Sequence, residues 1–206
     1  RFEGRVINGR SQRALLADKT VGRDARIELA RVLRLVGRSD EARRDLAAAV
    51  KTAPTDFALR HAYTEVLMAR GAVVEAQALA QATVDAWEAK TLDDDNPELV
   101  FYLAAAARDI GDSDFANDCF EKAVELAPQR HEAGLAWAQL FLSKYAAGEA
   151  ETSVEDVLKV NPNLPDANAL MAAVVVSSSY DLERVRMLLK TALEVDPHNA
   201  AALAVR

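Results

Sequence analysis

A spacing of about 34 residues constrains this chain more than any other feature of it. Gly37 and Gly71 lie 34 apart, as do Ala42 and Ala76, and Pro128 and Pro162; Pro197 follows Pro162 after 35. Such a period means that one supersecondary unit is copied along the chain, each copy burying its apolar face on the next. The unit is clearest at Gly111–Pro128, GDSDFANDCFEKAVELAP. Gly111 suits a helix end, where a residue free to take positive φ is needed. Ser113 or Asp114 is predicted to cap a new helix. Phe115, Ala116, Cys119, Phe120, Ala123, Val124 and Ala127 then recur at steps of three and four, which makes one apolar face. Pro128 stops the helix, having no N–H to donate. Ala116 and Ala123 let a second helix approach closely, with Phe120 as the predicted wedge between them.

With a helix-turn-helix in each period, the chain resembles the tetratricopeptide repeat (TPR) family, whose pattern is W-x2-L-G-x2-Y, then A-x3-F, then Pro. The resemblance implies an all-α, right-handed superhelical solenoid of about five repeats behind an N-terminal helix. Residues 1–22 are expected to hold that helix, at Ser11–Lys19 and ended by Gly22, as the remnant of a truncated repeat or as a cap. Residues 23–199 form the solenoid, divided 23–56, 57–96, 97–130, 131–164 and 165–199, and residues 200–206 begin a sixth unit. Ala42, Leu46 and Ala49 take the A-x3-F-x2-A places in the first repeat, and Ala76, Ala80 and Thr83 in the second. Six residues are inserted between Gly71 and Gly111, which are 40 apart. They are assigned to a second helix lengthened past Trp87 and a loop at Thr91–Asn96. Asn96 and Pro97 mark the next helix start. In the fourth repeat Tyr145 stands where glycine is expected, with Gly148 displaced by three, and the turn is left open. In the fifth, Ala172-Ala173 and Val176 are aligned with the first helix, Ser177–Ser179 replaces the turn glycine, and one residue is extra.

Composition narrows the function. The chain is half hydrophobic but only 6% aromatic, which suits Ala- and Leu-rich helices and disfavours an all-β fold. No apolar run approaches the roughly 18 residues needed to span a bilayer. A single Cys119 excludes an internal disulfide and a Cys-based zinc site. Residues 1–44 carry 12 Lys and Arg against 6 Asp and Glu, while the rest is net −13 within a total of −7. An acidic body disfavours general nucleic-acid binding, which needs a basic surface. The chain opens at Arg1 without Met and stops inside a repeat, so it is expected to be a piece of a longer protein. The compartment stays open, with cytoplasm as the default, and oligomerisation is left open too.

No chemistry is expected. His61, His131 and His198 are far apart, and no i, i+4 ligand pair exists, so neither metal nor other cofactor is predicted. Asp93-Asp94-Asp95-Asn96 lacks the alternate spacing and the glycine of a calcium loop, and is read as helix capping. Cys119 has no base at helical spacing and is read as core filler. The nucleophile-elbow and P-loop patterns are both absent. Trp137 is expected in the core, and Trp87 is an open case.

The resemblance implies that the first helix of each repeat lines a concave groove through its second, fifth, ninth and twelfth residues. From the first four repeats the predicted partner-binding residues are Ile27, Arg31, Arg34, His61, Glu65, Phe101, Arg108, Leu135 and Gln139. From the fifth the mapping gives Ala167, Leu170, Val174 and Ser177, of which Leu170 is chosen as an anchor. The Lys and Asn by which some family members clamp a peptide carboxylate are missing. An apolar stripe beside Arg31, Arg34 and Arg108 suits an extended or helical peptide with apolar anchors and some acid. The expected function is therefore a non-catalytic protein-interaction scaffold. The alternative is a spacer, an assembly module or the accessory domain of a larger enzyme, and RNA binding ranks last.

Overall fold

The computed structural model describes residues 19–89 and 95–205, with side chains from Gly22 onward. Apart from Lys19, the expected Ser11–Lys19 helix lies outside the described residues, as do Asp93 and Asp94. The chain divides into two compact units, one up to Ala89 and one from Lys90. The division falls at the six-residue insertion.

The first unit holds α1 (Lys19–Leu35), α2 (Ser39–Thr52), α3 (Phe57–Ala69) and α4 (Val73–Glu88). The second holds α5 (Pro97–Ile110), α6 (Ser113–Leu126), α7 (His131–Ser143), α8 (Ala147–Val160), α9 (Pro165–Ser178), α10 (Leu182–Val195) and the short α11 (Ala200–Val205). No strand occurs among the described residues. Within each unit every helix packs on its successor, and odd-numbered helices also pack on one another along a row: α1 on α3, and α5 on α7 on α9 on α11. The insertion lengthens α4 to 16 residues, against 14 in each of α2, α6, α8 and α10. Gly22 does not end a helix, because α1 runs through it and it is buried. Glycine inside a helix costs about 1 kcal/mol relative to alanine, a preference that tertiary packing overrides.

One backbone turn punctuates the repeats. Gly37, Gly71 and Gly111 have φ of 75°, 74° and 92°. In each case the following N–H bonds the carbonyl five residues back: Arg38 to Leu33, Ala72 to Leu67 and Asp112 to Ala107. Tyr145 makes the same turn without being glycine. Its φ is 62°, and Ala146 N–H bonds Phe141 C=O at 3.0 Å. Gly148 plays no part in it and sits in the first turn of α8. In the last hairpin Tyr180 has φ 55°, and its own N–H reaches back five residues to Val175, so the extra residue is spent here. Ser177 and Ser178 are helical rather than a linker. The cap of α6 is Asp112, whose carboxylate accepts from Phe115 N–H, and Ser113 is the first helical residue rather than the cap. Asn96 caps α5 as its sequence indicates, accepting from Glu98 and Leu99 N–H.

The repeated apolar positions are the core. Ala42, Leu46 and Ala49, Ala76, Ala80 and Thr83, Ala116, Phe120 and Ala123, Ala150, Val154 and Val157, and Val185, Leu189 and Ala192 are all buried. Phe120 is fully enclosed, with Phe101 tilted against it at 6.3 Å between ring centroids. Alanine at the crossing positions lets the axes approach. At Gly134 even a methyl group is too much, because an added Cβ would lie 2.7 Å from Val157 Cγ2. The fifth repeat is shifted by one residue from its sequence alignment. Met171, Ala172 and Val175 are buried where the alignment puts Ala172-Ala173 and Val176, while Ala173 and Val176 are half-buried. The extra residue belongs to the turn at Tyr180, not to the start of α9.

Candidate functional site

The odd-numbered helices of the second unit begin in identical register. Pro97, His131 and Pro165 are their first residues, 34 apart, and each is followed by an acid: Glu98, Glu132 and Asp166. The faces that continue from these positions mix exposed side chains, Gln139 and Asp166, with buried ones, Ala105 and Ala169. Between α7, α9 and α11 lies a partly open recess of about 250 Å³, lined by Leu135, Gln139, Asp166, Ala169, Leu170, Ala173, Ala201 and Val205. The structure therefore brings together three of the predicted residues: Leu135, Gln139 and Leu170. The sequence mapping misses Asp166, Ala169 and Ala173 because of the one-residue shift in α9. Ala167 and Val174, which it places in the groove, are wholly buried instead. Ser177 lies toward the end of α9 and donates its hydroxyl hydrogen bond to Val174 C=O. The Asn199 side chain fixes α11 against α9. Its Oδ1 accepts from Ala202 N–H at 2.9 Å, and its Nδ2 donates to Asp166 Oδ1 at 2.7 Å.

The remaining predicted residues do not line this cavity. Phe101 on α5 is half-buried, edge-on to Tyr102 at 5.4 Å and beside Phe120. Arg108 donates from Nε and Nη2 to the neighbouring Asp109 carboxylate at 3.1 and 3.0 Å. In the first unit Arg34 of α1 donates to Glu65 of α3 at 3.0 Å, and His61 Nε2 lies 3.9 Å from the same carboxylate. Ile27 is half-buried against the core around Ala30 and Leu46. Arg31 is exposed. The positive charges of Arg34 and Arg108 are thus already matched within the chain, which the sequence spacing does not reveal.

No protein-family model matches this sequence, and no curated protein matches it either. Solved structures do. The thermophilic TPR protein TTC0263 of Thermus thermophilus superposes with a TM-score of 0.66 at 19% identity, covering 88% of this chain and 95% of that one. The fold is the tetratricopeptide repeat. YrrB, a TPR protein with an unusual peptide-binding site, aligns over 94% of this chain and 96% of its own at 18% identity and a TM-score of 0.52. A TPR protein of Parabacteroides merdae aligns over 89% of this chain and 70% of its own, at 17% identity and the same score.

The TPR framework explains the other conspicuous side chains. Trp137 is half-buried between α6 and α7, its ring tilted against Phe141 with centroids 5.4 Å apart, and its indole N–H donates to Asn117 Oδ1 at 2.9 Å. It joins two successive repeats. Trp87 is half-buried at the end of α4. Arg60 lies half-buried on α3, its guanidinium donating to Ala82 C=O at 3.1 Å and resting 5.2 Å from the Phe57 ring, so burial lowers its pKa from the usual value. Burial, with Asp118 alongside, pushes the Cys119 thiol up to about 11, which leaves almost no thiolate at neutral pH. Among the described residues no group of three or more His, Cys, Asp or Glu side chains could hold a metal ion, and no helix is long and apolar enough to cross a membrane.

Proposed function

We propose that the chain is a non-catalytic scaffold that binds a peptide or protein partner along the first-helix face of its repeats, with the cavity of the second unit as the principal contact. The observation that carries this reading is the cavity itself, an apolar recess between three consecutive first helices with two polar groups, Gln139 and Asp166, at its wall. Concave apolar sites with few oriented polar groups are where ligands bind. Peptide binding by YrrB, a protein of the same fold, supports the assignment. We further propose the repeat division 23–56, 57–96, 97–130, 131–164 and 165–199. Leu135 and Leu170 act as apolar contacts and Gln139 as a hydrogen-bonding one. Phe101, beside its aromatic neighbours, and the Arg34–Glu65–His61 cluster with Ile27 and Arg31 offer secondary contacts in their own units. The test compares proteins retained from a source lysate by the full chain and by an Ala201→Phe variant. Ala201 is exposed, so the added ring fills the cavity without entering the core. Retention of the same proteins by both would place binding elsewhere.

A further inference from the structure

We infer that the α7–α9–α11 cavity takes a single apolar side chain from a basic peptide segment. This rests on the groove reading above and adds the chemistry of the partner. The volume, about 250 Å³, lies just below the roughly 300 Å³ at which small-molecule pockets begin, which suits one side chain better than a whole metabolite. Leu135, Leu170 and Val205 line it together with Ala169, Ala173 and Ala201, which makes its surface mainly apolar. The one ionisable side chain in the lining is Asp166, and the hydrogen bond it accepts comes from the uncharged amide of Asn199. An acid in the first turn of a helix also complements the helix dipole, so its position alone assigns nothing. Here, however, the carboxylate stands at an apolar recess, in a unit whose sequence carries 20 acidic against 10 basic residues from Lys90 onward. Glu132 occupies the same first-turn position on α7, 34 residues earlier. Arg108, the groove arginine of this unit, is already neutralised by Asp109. A field of one sign attracts the opposite charge and repels its own, which sets both partner choice and association rate. The partner that fits is an apolar residue flanked by Lys or Arg, the reverse of the acidic peptide that the arginines in the sequence imply.

The test uses three fluorescein-labelled octapeptide pools with a fixed central Leu and flanks restricted to Lys and Arg, to Asp and Glu, or to Ser and Gln. Each is titrated against the full chain at low salt by fluorescence anisotropy. The basic pool is expected to bind on the order of tenfold more tightly than the acidic pool. Ala201→Phe should abolish that binding, and Asp166→Asn, which keeps the Asn199 hydrogen bond, should weaken it about two- to fivefold. If the acidic or neutral pool binds as well as the basic one and is still lost in Ala201→Phe, the groove stands and the charge assignment falls. An unchanged affinity in Asp166→Asn overturns the assignment in the same way. Binding that survives Ala201→Phe, or no binding by any pool, removes the groove reading as well.

Discussion

Replacing Tyr145 by glycine should stabilise the protein. Its backbone sits at φ 62°, a conformation in which an L side chain crowds the backbone, and its side chain is 97% exposed. Truncation therefore gives up no packing. Left-handed strain for a residue with a Cβ is about 1–2 kcal/mol. Against that, glycine loses roughly 0.5–1 kcal/mol more chain entropy on folding. The difference favours the variant by about 0.5–1 kcal/mol, which for a chain of this length raises Tm by roughly 1–4 °C. The reverse control is Gly111→Ala. Its added Cβ meets nothing within 4 Å, so the loss there is the cost of φ less the chain entropy that alanine saves, about 0.5–1 kcal/mol. Both are read by thermal melts followed by far-ultraviolet circular dichroism, with the mid-point checked for equal cooperativity. A Tyr145→Gly variant that melts at or below the parent temperature would refute the reasoning, for it would mean that the tyrosine supplies more than its strain removes.

Phe120→Ala should cost about 3–5 kcal/mol in a denaturant titration, because it empties a fully buried site flanked by two alanines that cannot fill it; a loss below about 1 kcal/mol would mean that the ring is not core. Gly134→Ala should cost about 1–3 kcal/mol through the clash with Val157, and adding Val157→Ala should recover part of that loss; strictly additive losses would deny the contact. Alkylation of native Cys119 at pH 8 should run roughly a hundredfold slower than in the denatured chain and accelerate only as pH approaches 11, since a raised thiol pKa withholds the thiolate until then. Equal rates in the two states would contradict the burial.

The hairpin architecture is legible because its signals are local. A-x3-F spacing, turn glycines and stop prolines each act within one turn of helix, and the second helices of all five hairpins bury the residues that this spacing selects. What spacing does not carry is position after an irregular turn. Tyr145 and Tyr180 carry out a backbone manoeuvre normally flagged by glycine, so no residue type marks the turn. The extra residue before Leu182 therefore falls on the wrong side of α9 in the alignment, and the groove face of that helix is read one position late. That single step hides Asp166, Ala169 and Ala173 while keeping Leu170, which lines the cavity beside Ala169 although it is off the repeat register. The arginines mislead for a different reason. Their partners, Glu65 for Arg34 and Asp109 for Arg108, are fixed by rotamer and by the stacking of successive helices, neither of which spacing encodes. A useful signal is present in the alanines, since small residues at groove positions of α9 leave room for something else to occupy.

The packing of each helix on its near neighbours in sequence also governs how the protein reaches its structure. Loop closure is cheap when partners are separated by a single turn, and chains dominated by such short-range contacts fold in microseconds to milliseconds. Nucleation can then start in any hairpin and spread to both sides, and unfolding runs the same way in reverse. Amide exchange in the second unit should accordingly be graded along the sequence, slowest across α7 to α9, where α7 and α9 have neighbours on both sides and along the row, and fastest in the six-residue α11. Because α11 supplies Ala201 and Val205 to the cavity, the recess opens whenever that helix frays, and occupancy by a ligand would register first as slowed exchange of residues 200–205.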